Sequence, residues 1–293
     1  LKIKYSDVIE RDFMRHLWCV LLIFLLASPC HAFKPEEQHG PISRQAVSVY
    51  QSCTGRAIPE ELSKVFIEKA VHEDDVSLER LGNWHFYNNG NNLGRYYFLF
   101  YGANDKIFQK LLKKLDSLLA SNKPNPVEIY KVAGRIAHHI QDMSAPPHVV
   151  PVYHYKDDSF ENYRPSSAFN ENNPELCGVL KAWIPAPGDI FGQAAQNTLK
   201  AVAGPVVFDS GKTIENETWM KFWGGEDNKK LDGFKNYGAY GNAFGMIPPC
   251  NSHVCRLYGK ETYDRFFNEC YGRAVIDTVR LLLFVDQRLN GRH

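Results

Sequence analysis

The sequence predicts an all-α fold built as a single helical domain, and three observations predict it. Apolar residues recur at three- and four-residue spacing through several long segments. No series of alternating apolar and polar residues marks a sheet, and no internal repeat divides the chain. The stretch that follows residue 32 is long enough to bury one large core.

The first element is read as a processing segment. Met14 and Arg15 lead into an apolar run over residues 17–27, which closes on Ser28, Pro29, Cys30, His31 and Ala32. A basic start, a short apolar run and small residues at its end fit a signal peptide spanning residues 1–32 and cut after Ala32. The run falls short of the roughly 20 apolar residues of a transmembrane helix. Residues 1–13 precede Met14, the natural start, and read as an upstream extension. A secreted or periplasmic protein covering residues 33–293 is therefore expected. Pro29 before Cys30 fits poorly with a lipid attached to that cysteine.

Helices follow in order. Ser43 is placed to cap a helix through residue 50, and Pro59 stands in the first turn of another over 59–71, with Glu60 and Glu61 at its electropositive end. Residues 88–103, rich in Asn, Gly and Tyr, read as an irregular loop. Asn104 is placed to cap a helix whose apolar stripe is Phe108, Leu111, Leu112, Leu115, Leu118 and Leu119. Asn125–Pro126 begins the next, which Pro146–Pro147 stop. Residues 149–188 read mostly as loop, Asp189 as the cap of a helix to about residue 203, and 204–255 as irregular. A last long helix runs over 260–289.

Charge and cysteine usage narrow the function classes. The whole chain carries a formal net charge of +1, and the part after residue 32 is close to neutral. That balance argues against a stable nucleic-acid complex held by bulk electrostatics, though not against a small cleft that cleaves nucleic acid. Export permits disulfides among Cys53, Cys177, Cys250, Cys255 and Cys270, with at least one thiol left over. Cys250 and Cys255, which enclose a short loop, are the first expected pair.

The chemistry is concentrated in residues 138–161. His138 and Asp142 stand four apart on a helix, about 40° apart around its axis, as two ligands of one metal must. His139, rotated by about 100°, falls with Ile136 and Met143 on an apolar stripe and reads as a packed neighbour. His148 follows six residues beyond Asp142 and His154 six beyond that, with Asp157, Asp158 and Glu161 behind. Imidazole nitrogen with carboxylate oxygen is an ordinary zinc ligand set. Upstream, Glu73, Asp74 and Asp75 crowd the end of a helix, where negative charge is disfavoured and a cation would compensate it. The bland reading of Glu73 and Asp75 is a solvated surface, and that of His85, between Trp84 and Phe86, is a packed ring. His39 stands six residues past Phe33, whose amine cleavage would expose.

These motifs, "HEDD" at 72–75, "NWHFYN" at 83–88, "HHIQDMSAPPH" at 138–148 and "H" at 154 before "DDSFENY", resemble the zinc-dependent phospholipase C family. That family is related to the fungal single-strand nucleases of the S1/P1 type. The resemblance covers roughly residues 33–163. It implies an all-helical domain holding three zinc ions. On it, Phe33 would chelate through its terminal amine and carbonyl with His39. Asp74, His85, His138 and Asp142 would form a second position, with Asp142 bridging. His148 and His154 would hold the third zinc with a carboxylate. Asp158, four residues past His154, is preferred there, and Glu161, within "SFENY" as in the bacterial phospholipases, is the alternative. Asp74 would act as general base or orient the attacking water. Phe33 stands where the family usually has tryptophan, and Asp75 competes with Asp74.

The implied activity is phosphodiester hydrolysis. A phospholipase C releasing diacylglycerol and a phosphorylated headgroup at a membrane surface is preferred over a nuclease, on near-neutral charge and the "SFENY" context. The aromatics at 96–101 and Trp219, Phe222 and Trp223 offer surface for a lipid interface or for stacked bases, or are ordinary core. A non-catalytic, zinc-stabilised export protein is the alternative of a different class. A monomer is expected.

Overall fold

Ten stretches of chain, residues 38–75, 86–87, 105–150, 152, 158–164, 174–207, 211, 213–224, 237–246 and 259–291, are described by the computed structural model. Helix α1 (Gly40–Thr54) has Pro41 in its first turn and ends on Gly55, whose φ of 69° is the left-handed conformation glycine adopts without strain. Ser43 lies inside this helix rather than capping it, and is wholly buried. The helix therefore starts earlier than the serine suggests, just after His39. Helix α2 (Glu60–Val71) carries Glu60 and Glu61 in its first turn and buries Leu62, Phe66 and Ala70 along one face. A single 3₁₀ turn, His72–Asp74, continues it.

Helix α3 (Asp105–Ala120) buries Phe108, Leu111, Leu115 and Leu119 on the stripe expected from the sequence. Helix α4 (Pro126–Asp142) is capped by Asn125, whose side chain accepts a hydrogen bond from the Glu128 amide at 3.3 Å. From Ile129 onward almost every residue of α4 is buried, because α2, α3 and the last helix pack around it. Its closest neighbour is α2. Gly134 permits this, since a Cβ there would collide with the Phe66 carbonyl. The close approach sets the depth at which the last turn of α4 meets α2.

A short helix α5 (Pro146–Val149) follows, with its prolines in the first turn where a missing amide costs nothing. Residues 149–188, expected to be mostly loop, contain helix α6 (Pro174–Ala182). Helix α7 (Pro187–Ala203) starts on Pro187, so Asp189 sits in its first turn rather than at the cap. Two short antiparallel strands, β1 (Pro205–Val207) and β2 (Thr213–Thr218), pair Pro205 with Thr218. They were not expected, since three- and six-residue strands are too short for alternation to show. Helix α8 (Met220–Trp223) leads on to α9 (Lys260–Asn290), which lies against α1, α4 and α7. Among the described residues the result is a predominantly helical domain with one two-stranded sheet.

A disulfide, Cys53–Cys177, ties α1 to α6 across a Cα separation of 5.0 Å. Cys270 is a buried free thiol, while Cys250 and Cys255 lie outside the described residues, as do Asn104 and 88–103. Trp219, Phe222 and Trp223 are not lipid-facing surface. They are buried in an aromatic core with Phe160, Phe244, Tyr263 and Phe266. Among the described residues no helix is long and apolar enough to cross a membrane.

Candidate metal centre

The last turn of α4 carries His138 and Asp142, and the residue before α1 is His39. The three side chains converge in the interior, each 0% exposed. His138 Nε2 lies 3.4 Å from Asp142 Oδ2, and His39 Nε2 lies 3.4 Å from Asp142 Oδ1. The two imidazoles stack with centroids 4.0 Å apart. One ligand atom from each of the three fits within 4.8 Å of the others.

These spacings fit a shared ion better than direct ion pairs. A charge-assisted N–H···O bond closes to about 2.7–2.9 Å. Ligand atoms placed tetrahedrally at about 2.0–2.1 Å from a zinc ion lie roughly 3.3–3.4 Å from one another. A fully buried carboxylate also needs positive charge beside it, which a divalent cation supplies. Both ring orientations agree. His138 Nδ1 donates to the Ala70 carbonyl at 2.9 Å, which leaves Nε2 to face Asp142. His39 Nδ1 stands 2.7 Å from Gln141 Oε1. The cluster is thus able to coordinate a metal ion, and it is the group of this kind found among the described residues.

His139 is turned away from this cluster. Its Nε2 lies 3.4 Å from Glu73 Oε1, and its ring edge meets Phe108. Glu73 also accepts two bonds from Arg135, at 2.5 Å and 2.9 Å. Burial works to raise the Glu73 pKa, yet the bonds from His139 and Arg135 hold it well below the usual carboxylate range. Burial pushes the His139 pKa down. Glu73 is therefore a buried clamp on α4 rather than a solvated acid. Asp75 is exposed and paired with His72 at 3.1 Å, at the surface. The backbone of Asp74 lies in the 3₁₀ turn between them, and its side chain is outside the described residues, as are Phe33, His85 and His154.

His148, on α5, is also wholly buried, and its Nε2 lies 3.5 Å from Glu161 Oε1. Phe86 stacks on its ring at 5.2 Å, and the Tyr87 amide donates to its carbonyl. Asp158, the carboxylate preferred from the sequence, is occupied otherwise. Its Oδ1 accepts from the Phe160 amide at 2.8 Å, and its Oδ2 from Tyr237 at 2.7 Å and Trp223 at 3.3 Å. Glu161, the alternative, is the acid that reaches His148. The preference for Asp158 rests on its four-residue step from His154, which lies outside the described residues; residues 158–161 form a turn, with the Asn162 amide bonded to the Asp158 carbonyl. Gln141 and Arg135 escaped the sequence reading, as did the role of Glu73 as partner of His139 and Arg135. Gln141, a polar residue on a run of buried apolar positions beside Asp142, was the available signal.

No family model, curated protein or solved structure matches this chain.

Proposed function

We propose that the chain is a zinc-dependent phosphodiester hydrolase, specifically a phospholipase C that releases diacylglycerol and a phosphorylated headgroup from glycerophospholipids such as phosphatidylcholine. The observation that carries the metal dependence is the buried His39–His138–Asp142 cluster, with its ligand-like spacing. The choice of lipid rests on the family resemblance, on near-neutral net charge and on Glu161. That glutamate belongs to the "SFENY" stretch, and its approach to His148 supports its use as the ligand-bearing acid there.

In this reading the fold is of the zinc-dependent phospholipase C type, and the chain would hold three ions. Phe33, His39 and Asp142 would hold the first, and Asp74, His85, His138 and Asp142 the second. His148, His154 and Glu161 would hold the third. Zinc, when bound, supplies Lewis-acid charge to the phosphodiester oxygens and acidifies water. Asp142, with a carboxylate oxygen toward each histidine, would serve both of the first two ions. Asp74 would take the proton from the attacking water or aim it. His39 and His138 must be neutral to bind, so turnover falls in acid. The exported, oxidising setting draws support from the Cys53–Cys177 disulfide, and the monomer acts at a membrane surface.

Hydrolysis of phosphatidylcholine and of single-stranded DNA, measured in parallel before and after chelation, tests this. Chelator-sensitive release of phosphocholine is expected. Chelator-sensitive DNA cleavage without lipid hydrolysis would move the chain to the nucleases. A folded protein that binds zinc and cleaves neither would make the site structural.

A further inference from the structure

We infer that Gln141 is a positioning residue that fixes the tautomer and aim of His39, through a hydrogen-bond relay anchored on α9. This inference rests on the metal-binding part of the proposed function. The relay starts at the Ala274 carbonyl, which can only accept. Thr278 Oγ1 lies 2.7 Å from it and so gives its one proton there. Towards Gln141 the Thr278 oxygen then offers only lone pairs, at 3.2 Å. The Gln141 group facing it must be the NH₂, whose other proton goes to Ser43 Oγ at 3.0 Å.

The Gln141 amide therefore has one orientation, with Oε1 turned to His39 Nδ1 at 2.7 Å. An amide oxygen accepts, so Nδ1 carries the proton. A neutral imidazole protonated on Nδ1 has its lone pair on Nε2, the atom directed at Asp142. Ser43, His39, Gln141 and Thr278 are all 0% exposed, so bulk water does not substitute for a missing link. His138 reaches the same state by a different route, through the Ala70 backbone carbonyl. One ligand is thus set by main chain that no side-chain substitution removes, and the other by a side chain three residues along the same helix.

Three variants test the relay: Gln141→Met, which keeps the volume and removes the acceptor; Gln141→Glu, which keeps an acceptor; and Thr278→Val, which frees the amide to turn. Nitrogen-15 NMR of the zinc-free protein reads the His39 tautomer without any metal. The wild type should show the Nδ1–H form and Gln141→Met a shift to Nε2–H. Zinc affinity, by competition with a chromophoric chelator, should fall roughly 10–100-fold in Gln141→Met, with Gln141→Glu recovering most of it and Thr278→Val losing less. The cobalt(II) visible band should change in Gln141→Met. An Nε2–H form of His39 in the wild type overturns the relay whether or not the variants fold. Wild-type zinc affinity in Gln141→Met, or a Gln141→Glu no better than Gln141→Met, overturns it too. A wild type with the Nδ1–H form that takes up no zinc keeps the relay's geometry and removes the metal reading itself.

Discussion

His138 and Asp142 are aimed by a helix, whereas His148 and Glu161 are aimed by turns. In the first cluster, His138 and Asp142 share the last turn of a 17-residue helix, and their common direction follows from four-residue spacing. In the second, His148 sits in a four-residue helix and Glu161 in a turn. Their directions are held by partners far away in sequence. Asp158 reaches Trp223 and Tyr237, Ser159 bonds to Asn242, and Phe86 stacks on His148. A helix carries its aim within one turn of sequence, but a turn borrows it from the tertiary structure.

The comparison breaks most directly at Asp142, the shared acid of the helix-borne cluster. Asp142→Asn keeps the size and removes the charge that two histidines and an ion require. Zinc should be lost from this cluster and phosphodiester hydrolysis should fall by at least about 10³-fold, with the helical circular dichroism retained. Zinc content by elemental analysis, with turnover measured on the same sample, checks this. Unchanged zinc content would show that the cluster is not a metal centre.

The turn-borne pair gives the next effect, and it separates the two acids. Glu161→Gln removes a proposed ligand, while Asp158→Asn removes the acceptor that holds the turn. Glu161→Gln should cost roughly 10–100-fold in zinc affinity with little change in the thermal midpoint. Asp158→Asn should lower the midpoint, because a buried network loses charge-assisted bonds of about 1.5–3 kcal/mol each, and should weaken zinc less. Calorimetry with zinc titration reads both. The reverse pattern would restore Asp158 as the ligand and leave Glu161 as scaffold.

The same contrast explains what was legible in the sequence. The stripe of Phe108, Leu111, Leu115 and Leu119 was visible because long helices repeat their pattern several times, and the His138–Asp142 pair was visible for the same reason. The β1–β2 pair and helix α6 were missed because each is too short to repeat a pattern. Burial of Trp219, Phe222 and Trp223 was one of three open readings, because an aromatic run looks alike on a surface and in a core. Only the packing of Phe160, Phe244 and Phe266 against them decides. Glu73 reads as an acid needing positive compensation or else a solvated one, and Arg135, which compensates it, lies 62 residues away where sequence does not show it. Gln141 looked incidental because Thr278 is 137 residues away.

Gly134 sharpens the helix half of the comparison at a smaller cost. An added methyl would meet the Phe66 carbonyl, so Gly134→Ala must push α2 from α4. Overpacking of this kind costs typically about 1–3 kcal/mol. Because His138 takes its Nδ1 bond from Ala70, one turn beyond Phe66 on α2, the displacement should also weaken zinc. A calorimetric midpoint and a chelator competition should therefore move together. A lowered midpoint with unaltered zinc binding would show that the Ala70 carbonyl does not set His138.

The opposite end of α4 supplies the control with the smallest effect. Asn125 caps the helix at an exposed position, accepting from the Glu128 amide, four turns from the cluster. Asn125→Ala should cost about 1 kcal/mol of stability, as the loss of a capping side chain does. If α4 transmits aim only through its last turn, zinc affinity and turnover should be unaffected, since fraying at a first turn does not reach the hydrogen bonds around His138 and Asp142. Chemical denaturation of the zinc-free protein gives the stability change, and the chelator competition gives the affinity. A parallel loss of both would mean that the cluster depends on the integrity of the whole helix. Local spacing would then be insufficient to aim even the helix-borne ligands.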